Sequence, residues 1–463
     1  MKHSKPAPSN APLQRFAIIG AARSGLSAAR FLLERGAQVF ISDTCAAEKL
    51  DMTLAANDLA QVPHEAVEHS ERVLESQVIV LSPGVPSDLP ILKRARKAGI
   101  PVWSEIELAF RNTPAKVLAV TGSSGKSTTV SLLGSVLEAA SIPTAVVGNI
   151  GIPAISVLPR LGSDAWAVLE ASSFQLETID SFRPSGAAIV NLMKNHLDRY
   201  ANEQEYYAAK KHIARNMTRD DVLVLNADDA ILAGWTRELR DRVRVVTFGL
   251  SDTGRDGVWY DDGTIFGRKN GEKVTILGVN AMKLRGVHNY LNASVAAALA
   301  WFCADVPIDA LVRGLASFAG LAHRLEFVGE VGGVKFFNDS KSTTAESMVC
   351  ALRAFDGNVH LIAGGRDKGC DFALVTDEIR ARAKGLYLIG EARKRMHREW
   401  GKATAVFMAD SLEQAVARAL ERATAGDAVV LSPGCASFDM FKNYEHRGDV
   451  FRAIVKSLTE NAR

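Results

Sequence analysis

Apolar runs of four to six residues recur along this chain, and most of them end in glycine, serine, asparagine or an acidic residue. They stand at residues 16–20, 38–42, 78–84 (with its Ser-Pro-Gly exit), 116–120, 144–147, 166–170, 187–191 and 222–229, and again at 334–338, 359–363, 386–389 and 428–431. Most are continuous rather than alternating, which is how a strand covered on both faces reads. Helical stretches lie between them, among them 26–35 with Gly36 as its stop, 105–111, and an alanine-rich run at 293–303 that reads as a buried helix. This alternation predicts an α/β protein with parallel sheets, whose ligands gather where strands exit at their carboxyl ends. Residues 252–273 break the rhythm: rich in Gly and Asp, they predict β-hairpins at a domain edge.

One exit carries distinct chemistry. After the run at 116–120 come residues 121–128, TGSSGKST, and then an apolar helical stretch. Gly122 and Gly125 let the backbone approach a phosphate closely at the positive end of a helix, with Ser123 and Ser124 between them. Lys126 supplies a point charge and the hydroxyl of Ser127, followed by Thr128, stands where such loops hold Mg²⁺. The general P-loop has a further glycine where this chain has Val120, so the motif is the shorter T-G-x-x-G-K-S form. ATP use is the expectation. At 463 residues the chain is long enough for about three domains of ~150 residues. LSPG occurs at 81–84 and at 431–434, each time after an apolar strand. Together these predict two Rossmann-like end domains, at 1–104 and 321–463, around a central P-loop ATPase-type domain at 105–320.

The other exits hold candidates that the residues alone leave open. The first βαβ unit has Ala22 where a dinucleotide fingerprint has glycine, which weighs against an NAD oxidoreductase. Asp43 is suited equally to a ribose hydroxyl and to a turn cap, and Ser82 and Gly84 occupy a ligand-bearing turn. Glu170, ending a buried strand, is costly unless it meets a cation, the Mg²⁺ of ATP being the obvious one; a helix cap is the other reading. His196 stands at a strand exit, Lys210 falls on a helix whose lysines read as a solvated face, and Asn289 and Asn292 share one helix face.

Charge narrows the partners. With 55 basic and 52 acidic residues the net charge is only +3, which gives no footprint for nucleic acid or a membrane surface. Five dispersed cysteines without a C-x-x-C pair suit reduced thiols in a cytoplasmic enzyme, and the polar, Pro-bearing residues 1–15 read as a loose tail. No apolar run reaches the ~18 residues of a membrane helix.

Taken together, TGSSGKST, GNIG at 148–151, EASSFQLE at 170–177, NHLDRY at 195–200, HNYLN at 288–292, HRLE at 323–326, NDSKST at 338–343 and SPGCASFDMFKNYEHRG at 432–448 resemble the Mur ligases of peptidoglycan synthesis. The last motif points to the branch that adds D-glutamate. The resemblance runs from about Phe16 to the end. It implies ATP-driven amide synthesis through an acyl phosphate, with UDP-MurNAc-L-Ala, glutamate and ATP as small-molecule substrates and a monomeric enzyme. It implies that Lys126 holds phosphate, that Ser127 and Glu170 ligate one Mg²⁺, and that His196 and a carbamate on Lys210, derived from CO₂, serve a second. ATP contacts are implied at Asn289, Asn292, Arg324, Asp339 and Lys341, and uridine-nucleotide contacts at Ser24, Asp43, Thr44, Ser82 and Gly84. Asn149 falls at the sugar-peptide end, and Thr343, Lys368, Ser437, Phe438 and Tyr444 at the glutamate pocket. A folylpolyglutamate synthase-like ligase, using the same ATP chemistry on another acid, and a non-catalytic nucleotide-sugar sensor are the alternatives.

Overall fold

The computed structural model describes residues 15–149, 151–196, 199–367 and 369–461, so residues 1–14 of the expected tail and the expectation at Lys368 lie outside the described residues, while Arg15 opens a strand. The chain divides into two compact units, one of Met1–Met282 with His288–Phe318 and one of Ala319–Arg463 with Lys283–Val287.

The first unit contains two sheets. The smaller is fully parallel, in the order His64–Glu65, Gln38–Ser42, Arg15–Ile19, Val78–Leu81, Val102–Ser104. Chain order reverses beside Arg15–Ile19, which opens a crevice between its exit and that of Val78–Leu81. The larger sheet has nine strands, with Lys116–Thr121 paired in parallel between Trp166–Glu170 and Gly186–Ile189. Apolar residues of these inner strands, such as Val117, Ala119, Leu169 and Ile189, are buried, because helices cover both faces. At one edge the expected hairpins form a three-strand meander, Gly257–Asp261, Thr264–Lys269 and Glu272–Gly278, antiparallel to one another. Its turns are Asp262-Gly263 and Asn270-Gly271, all four residues at positive φ, the conformation that two-residue hairpin turns require.

The helix Glu105–Arg111 joins the two sheets, and its two buried acids hold it in different ways. Glu107 accepts the N–H groups of Asp180, Ser181 and Phe182 at 3.0, 3.0 and 2.9 Å and the Arg111 Nε–H at 2.6 Å. Glu105 is poorer in partners: Oε1 accepts the Ile155 N–H at 2.6 Å, while Oε2 is buried with no partner among the described residues. Burial therefore outweighs the backbone donors at Ile155 and Ala154 and raises its pKa to about 7. A carboxyl raised in the folded state contributes stability that is complete below the ordinary carboxylate value and is lost as pH rises through about 7. Glu105→Gln is expected to flatten the loss of stability between pH 5 and 8, on the order of 2–3 kcal/mol, and with it the fall in melting temperature. Scanning fluorimetry of both proteins across that range is the check, and parallel curves would exclude the assignment.

The second unit is a six-stranded sheet ordered Glu326–Val331, Val334–Asn338, Ala428–Leu431, Val359–Gly364, Ala383–Ile389, Ala405–Met408. All neighbours are parallel except the first pair, an antiparallel edge hairpin. Met348, Leu361, Leu388, Met396 and Trp400 fill one face, and Phe336, Ile362, Tyr387, Leu412 and Phe451 the other.

Candidate active site

The strand Lys116–Thr121 delivers residues 122–125 to the carboxyl end of the nine-stranded sheet, and the helix Lys126–Ala139 leads away from it. Gly125 has φ +80°, and a Cβ there would lie 2.5 Å from Asn292 Oδ1, so no other residue lets the loop rest on that side chain. Asn292 is buried and also accepts the Thr129 hydroxyl at 3.3 Å, while its amide faces Asn289 Oδ1 at 3.4 Å. The asparagine pair thus supports the phosphate loop from behind. Lys126 Nζ donates to the carbonyls of Gly122 and Ser123 at 2.8 and 3.2 Å, bent over its own loop.

Asn191, at the exit of the neighbouring strand, shapes the same loop and was not among the expected site residues. Its Oδ1 accepts the N–H of Ser123 at 3.1 Å and of Ser124 at 2.9 Å, and its Nδ2 donates to the Ser124 carbonyl at 3.2 Å. These two amides face Asn191. The helix that starts at Lys126, with Ser127 and Thr128 buried behind it, gives this end of the loop the positive pole that anions favour.

Lys210 overturns the reading of a solvated helix face. It is 1 % exposed, and its Nζ donates to the Gly122 carbonyl at 2.9 Å and lies 4.3 Å from the Tyr206 ring centroid. Only Lys211 faces outward, to Glu238. Burial, reinforced by the charge of Lys126 and opposed by Glu170, holds the Lys210 pKa well below the usual lysine value. Tyr206 also touches His196, an exposed residue at φ +55° whose ring packs edge-on to Phe174 at 4.9 Å and to Tyr206 at 5.7 Å. Glu170 is buried; its Oε1 accepts from Asn149 Nδ2 at 2.9 Å, and its Oε2 has no partner among the described residues, as is true of Thr121 Oγ1. A carboxylate oxygen left in that state fits a cation. Among the described residues no three His, Cys, Asp or Glu side chains form a metal cluster. Mg²⁺ takes one or two carboxylates and completes its shell with water and substrate phosphate, and the open Glu170 oxygen is a donor of that kind.

In the crevice of the smaller sheet, Asp43 serves its own loops. Oδ2 accepts the Ala21 N–H at 2.6 Å and Oδ1 that of Cys45 at 2.8 Å. Burial opposes ionisation there, but these donors prevail and keep the carboxyl below its ordinary value. The buried Ser82 hydroxyl donates to the Gly20 carbonyl at 2.7 Å, in a contact so close that a Cβ on Gly25 would lie 2.0 Å from the same oxygen. Thr44 and Gly84 are exposed and Ser24 partly so, forming the open rim.

The second unit gathers its polar exits independently. Asp339 is buried; its carboxylate accepts from the Ser342 and Ser432 hydroxyls and the Leu325 N–H, yet burial raises its pKa to about 6, with Arg324 opposing. Lys341 Nζ lies 5.3 Å from the Tyr444 ring centroid. Arg447, fully buried, donates to the Ser340 carbonyl at 2.8 Å, the Ser340 hydroxyl at 3.0 Å and the Cys435 carbonyl at 3.1 Å, so one guanidinium ties residues 339–343 to 432–439. Burial lowers its pKa to about 10. An isolated bridge between Arg366 and Ala436 brings in a third exit. Around this junction Thr343 is partly exposed, Ser437 buried and Phe438 exposed.

Family models match along the chain: the Mur ligase MurD-like N-terminal domain at residues 14–104, the Mur ligase middle domain at 120–300 and the Mur ligase glutamate ligase domain at 323–435. A UDP-N-acetylmuramoylalanine–D-glutamate ligase of Koribacter versatilis is 40% identical over 451 residues, 97% of this chain and 99% of that one. Its counterpart in Acidobacterium capsulatum is 42% identical over 441 residues, 95% of each chain. Among solved structures, UDP-N-acetylmuramate-alanine ligase MurC of Thermotoga maritima aligns with TM-score 0.59 at 18% identity, covering 96% of this chain and 99% of that one. The MurF ligase of the same organism, solved in complex with ADP, aligns with TM-score 0.59 at 16% identity, covering 92% and 96%. Fold, motifs and near-full-length identity agree: the chain belongs to the Mur ligase family of ATP-dependent, amide-bond-forming ligases.

Proposed function

We propose that this enzyme joins the carboxylate of UDP-N-acetylmuramoyl-L-alanine to the amine of D-glutamate. The convergence of Lys126, Lys210 and the half-satisfied Glu170 around one phosphate loop carries this reading, together with the 40% identity to ligases of that name. A carboxylate oxygen of the muramoyl alanine attacks the γ-phosphorus of ATP, the bond to the bridging oxygen breaks, and ADP leaves. The glutamate nitrogen then attacks the acyl carbon, loses a proton and expels phosphate. Lys126 and the helix N-terminus hold the phosphate charge through the first step. Ser127 and Glu170 would hold one Mg²⁺, and His196 with a carbamate on Lys210 a second. The ions supply charge compensation for phosphoryl transfer.

Lys210 is suited to the carbamate because its neutral amine is the form that reacts with CO₂: an N–C bond forms and one proton is released. We assign the uridine end to the crevice held by Asp43 and Ser82 and rimmed by Ser24, Thr44 and Gly84, and the sugar-peptide end to Asn149. Asn289, Arg324, Asp339 and Lys341 are assigned to ATP. Thr343, Lys368, Ser437, Phe438 and Tyr444 are assigned to glutamate.

Phosphate release from ATP is expected only when UDP-MurNAc-L-Ala and glutamate are both present, with chiral analysis of the product returning D-glutamate. Release that needs no UDP-sugar, or a product holding only L-glutamate, would overturn the proposal.

A further inference from the structure

Arg199 belongs to the NHLDRY motif, and neither the resemblance nor the chemistry above gives it a role. Its side chain is 14 % exposed and its guanidinium makes three contacts. Nη2 donates to Glu177 Oε2 at 2.9 Å, Nη1 donates to the Pro83 carbonyl at 3.1 Å, and the plane lies 4.0 Å from the Phe174 ring centroid. Glu177, itself 13 % exposed, also accepts the Tyr200 hydroxyl. Phe174 in turn packs against His196 at 4.9 Å and Tyr200 at 6.0 Å. One side chain thus fastens the Ser82-Pro83-Gly84 turn, which follows the smaller sheet, to the short helix Ser173–Leu176, with Phe174 in it and Glu177 at its end, which follows the Glu170 strand of the larger one. A second strap, Arg23 Nη1 to the Gly151 carbonyl at 2.7 Å, crosses the same junction but is exposed. An exposed contact of that kind holds geometry weakly.

A planar fork that donates in two directions while stacking on a ring is a task lysine cannot perform. The pair with Glu177 is partly buried, so its desolvation is offset only while the geometry is kept. We propose that Arg199 is a positioning residue: it fixes the spacing between the uridine-end turn at Pro83 and the sugar-peptide end near Asn149 and His196, so that one extended nucleotide-sugar engages both. The inference rests on the UDP-sugar reading given above. Binding both ends of one ligand gains from a fixed separation, because the second contact becomes intramolecular. The uridine loops are held by Asp43 and Ser82 without Arg199, so a short nucleotide should be indifferent to it.

The test is calorimetric titration of wild-type protein, Arg199→Ala, Arg199→Lys and Glu177→Gln with UDP, with UDP-MurNAc-L-Ala and with ADP, alongside melting temperatures. In Arg199→Ala and Arg199→Lys, UDP and ADP are expected to bind within about twofold of wild type, while UDP-MurNAc-L-Ala weakens by about 30-fold, roughly 2 kcal/mol. Glu177→Gln should show the same selectivity at about fivefold, and it decides the matter should either arginine variant fail to fold. Unchanged UDP-MurNAc-L-Ala affinity overturns the proposal. So does an equal loss for all three ligands with a lowered melting temperature, and so does full rescue by lysine. Wild-type protein that binds UDP but not UDP-MurNAc-L-Ala would instead defeat the functional reading on which the proposal stands.

Discussion

Replacing Lys126 by alanine is expected to lower kcat by about two to three orders of magnitude, roughly 3–4 kcal/mol, while leaving UDP-MurNAc-L-Ala affinity unchanged. The ammonium is already held over the loop by two carbonyls, so little reorganisation is needed for it to meet a phosphate. Its removal should also leave the loop folded. Gly122 keeps the Lys210 donor on its carbonyl, Asn191 still brackets Ser123 and Ser124, and Gly125 still rests on Asn292. The uridine rim is built on a different sheet and shares none of these contacts, and Asn149 at the sugar-peptide end keeps its own hydrogen bond to Glu170. Single-turnover acyl transfer, paired with titration of UDP-MurNAc-L-Ala, separates the two effects. A rate within tenfold of wild type would remove Lys126 from the phosphate site.

Lys210→Met is expected to abolish ligation and, at the same time, to raise the melting temperature of the ligand-free protein. Lys210 has a folded pKa well below its unfolded one, so the unfolded chain binds a proton that the folded chain must release. Such a group contributes its full stability only above the ordinary lysine pKa and loses it as pH falls, leaving the fold less stable at neutrality. Methionine fills a similar volume without that cost, and the Gly122 carbonyl retains Lys126 as donor. For a domain of this size each kcal/mol relieved raises the melting temperature by about 2–4 °C. Lys210→Arg, which cannot form the carbamate, should be equally inactive but not stabilised. Carbon-13 NMR of wild-type protein in labelled bicarbonate should show a carbamate signal that both variants lack. Normal rates in Lys210→Arg, or a lower melting temperature in Lys210→Met, would refute this account.

The buried parallel strands were legible because a strand covered on both faces leaves a continuous apolar run, and the exits bearing Gly122, Glu170 and Asp339 could be read from where those runs stop. Strands missing from that reading lack the signal. Val102–Ser104 is three residues long, and Ala405–Met408 and Glu326–Val331 are partly exposed edge strands. The burial of Lys210 was invisible to helix periodicity, since EQEYYAAKK places two lysines side by side and only the fold shows which one turns inward. Whether Asp43 caps or binds was open in the sequence because both tasks use the same carboxylate; the structure supplies its two amide donors. Asn191 and Arg447 carried a weaker signal: one polar residue after an apolar strand, and one arginine inside a recognised motif whose burial no spacing rule announces.

The pairings of the nine-stranded sheet also set an order in time. The meander at Gly257–Asp261, Thr264–Lys269 and Glu272–Gly278 joins neighbours through two-residue turns, so its loops close at little entropic cost. The strand Lys116–Thr121 must instead wait for Trp166–Glu170 and for Gly186–Ile189, both far along the chain. Non-local parallel pairing is the slow part of folding such sheets. The phosphate loop therefore takes shape late, after its own helix has long been synthesised, and a nascent chain is without a nucleotide seat until the strand that positions Asn191 has docked.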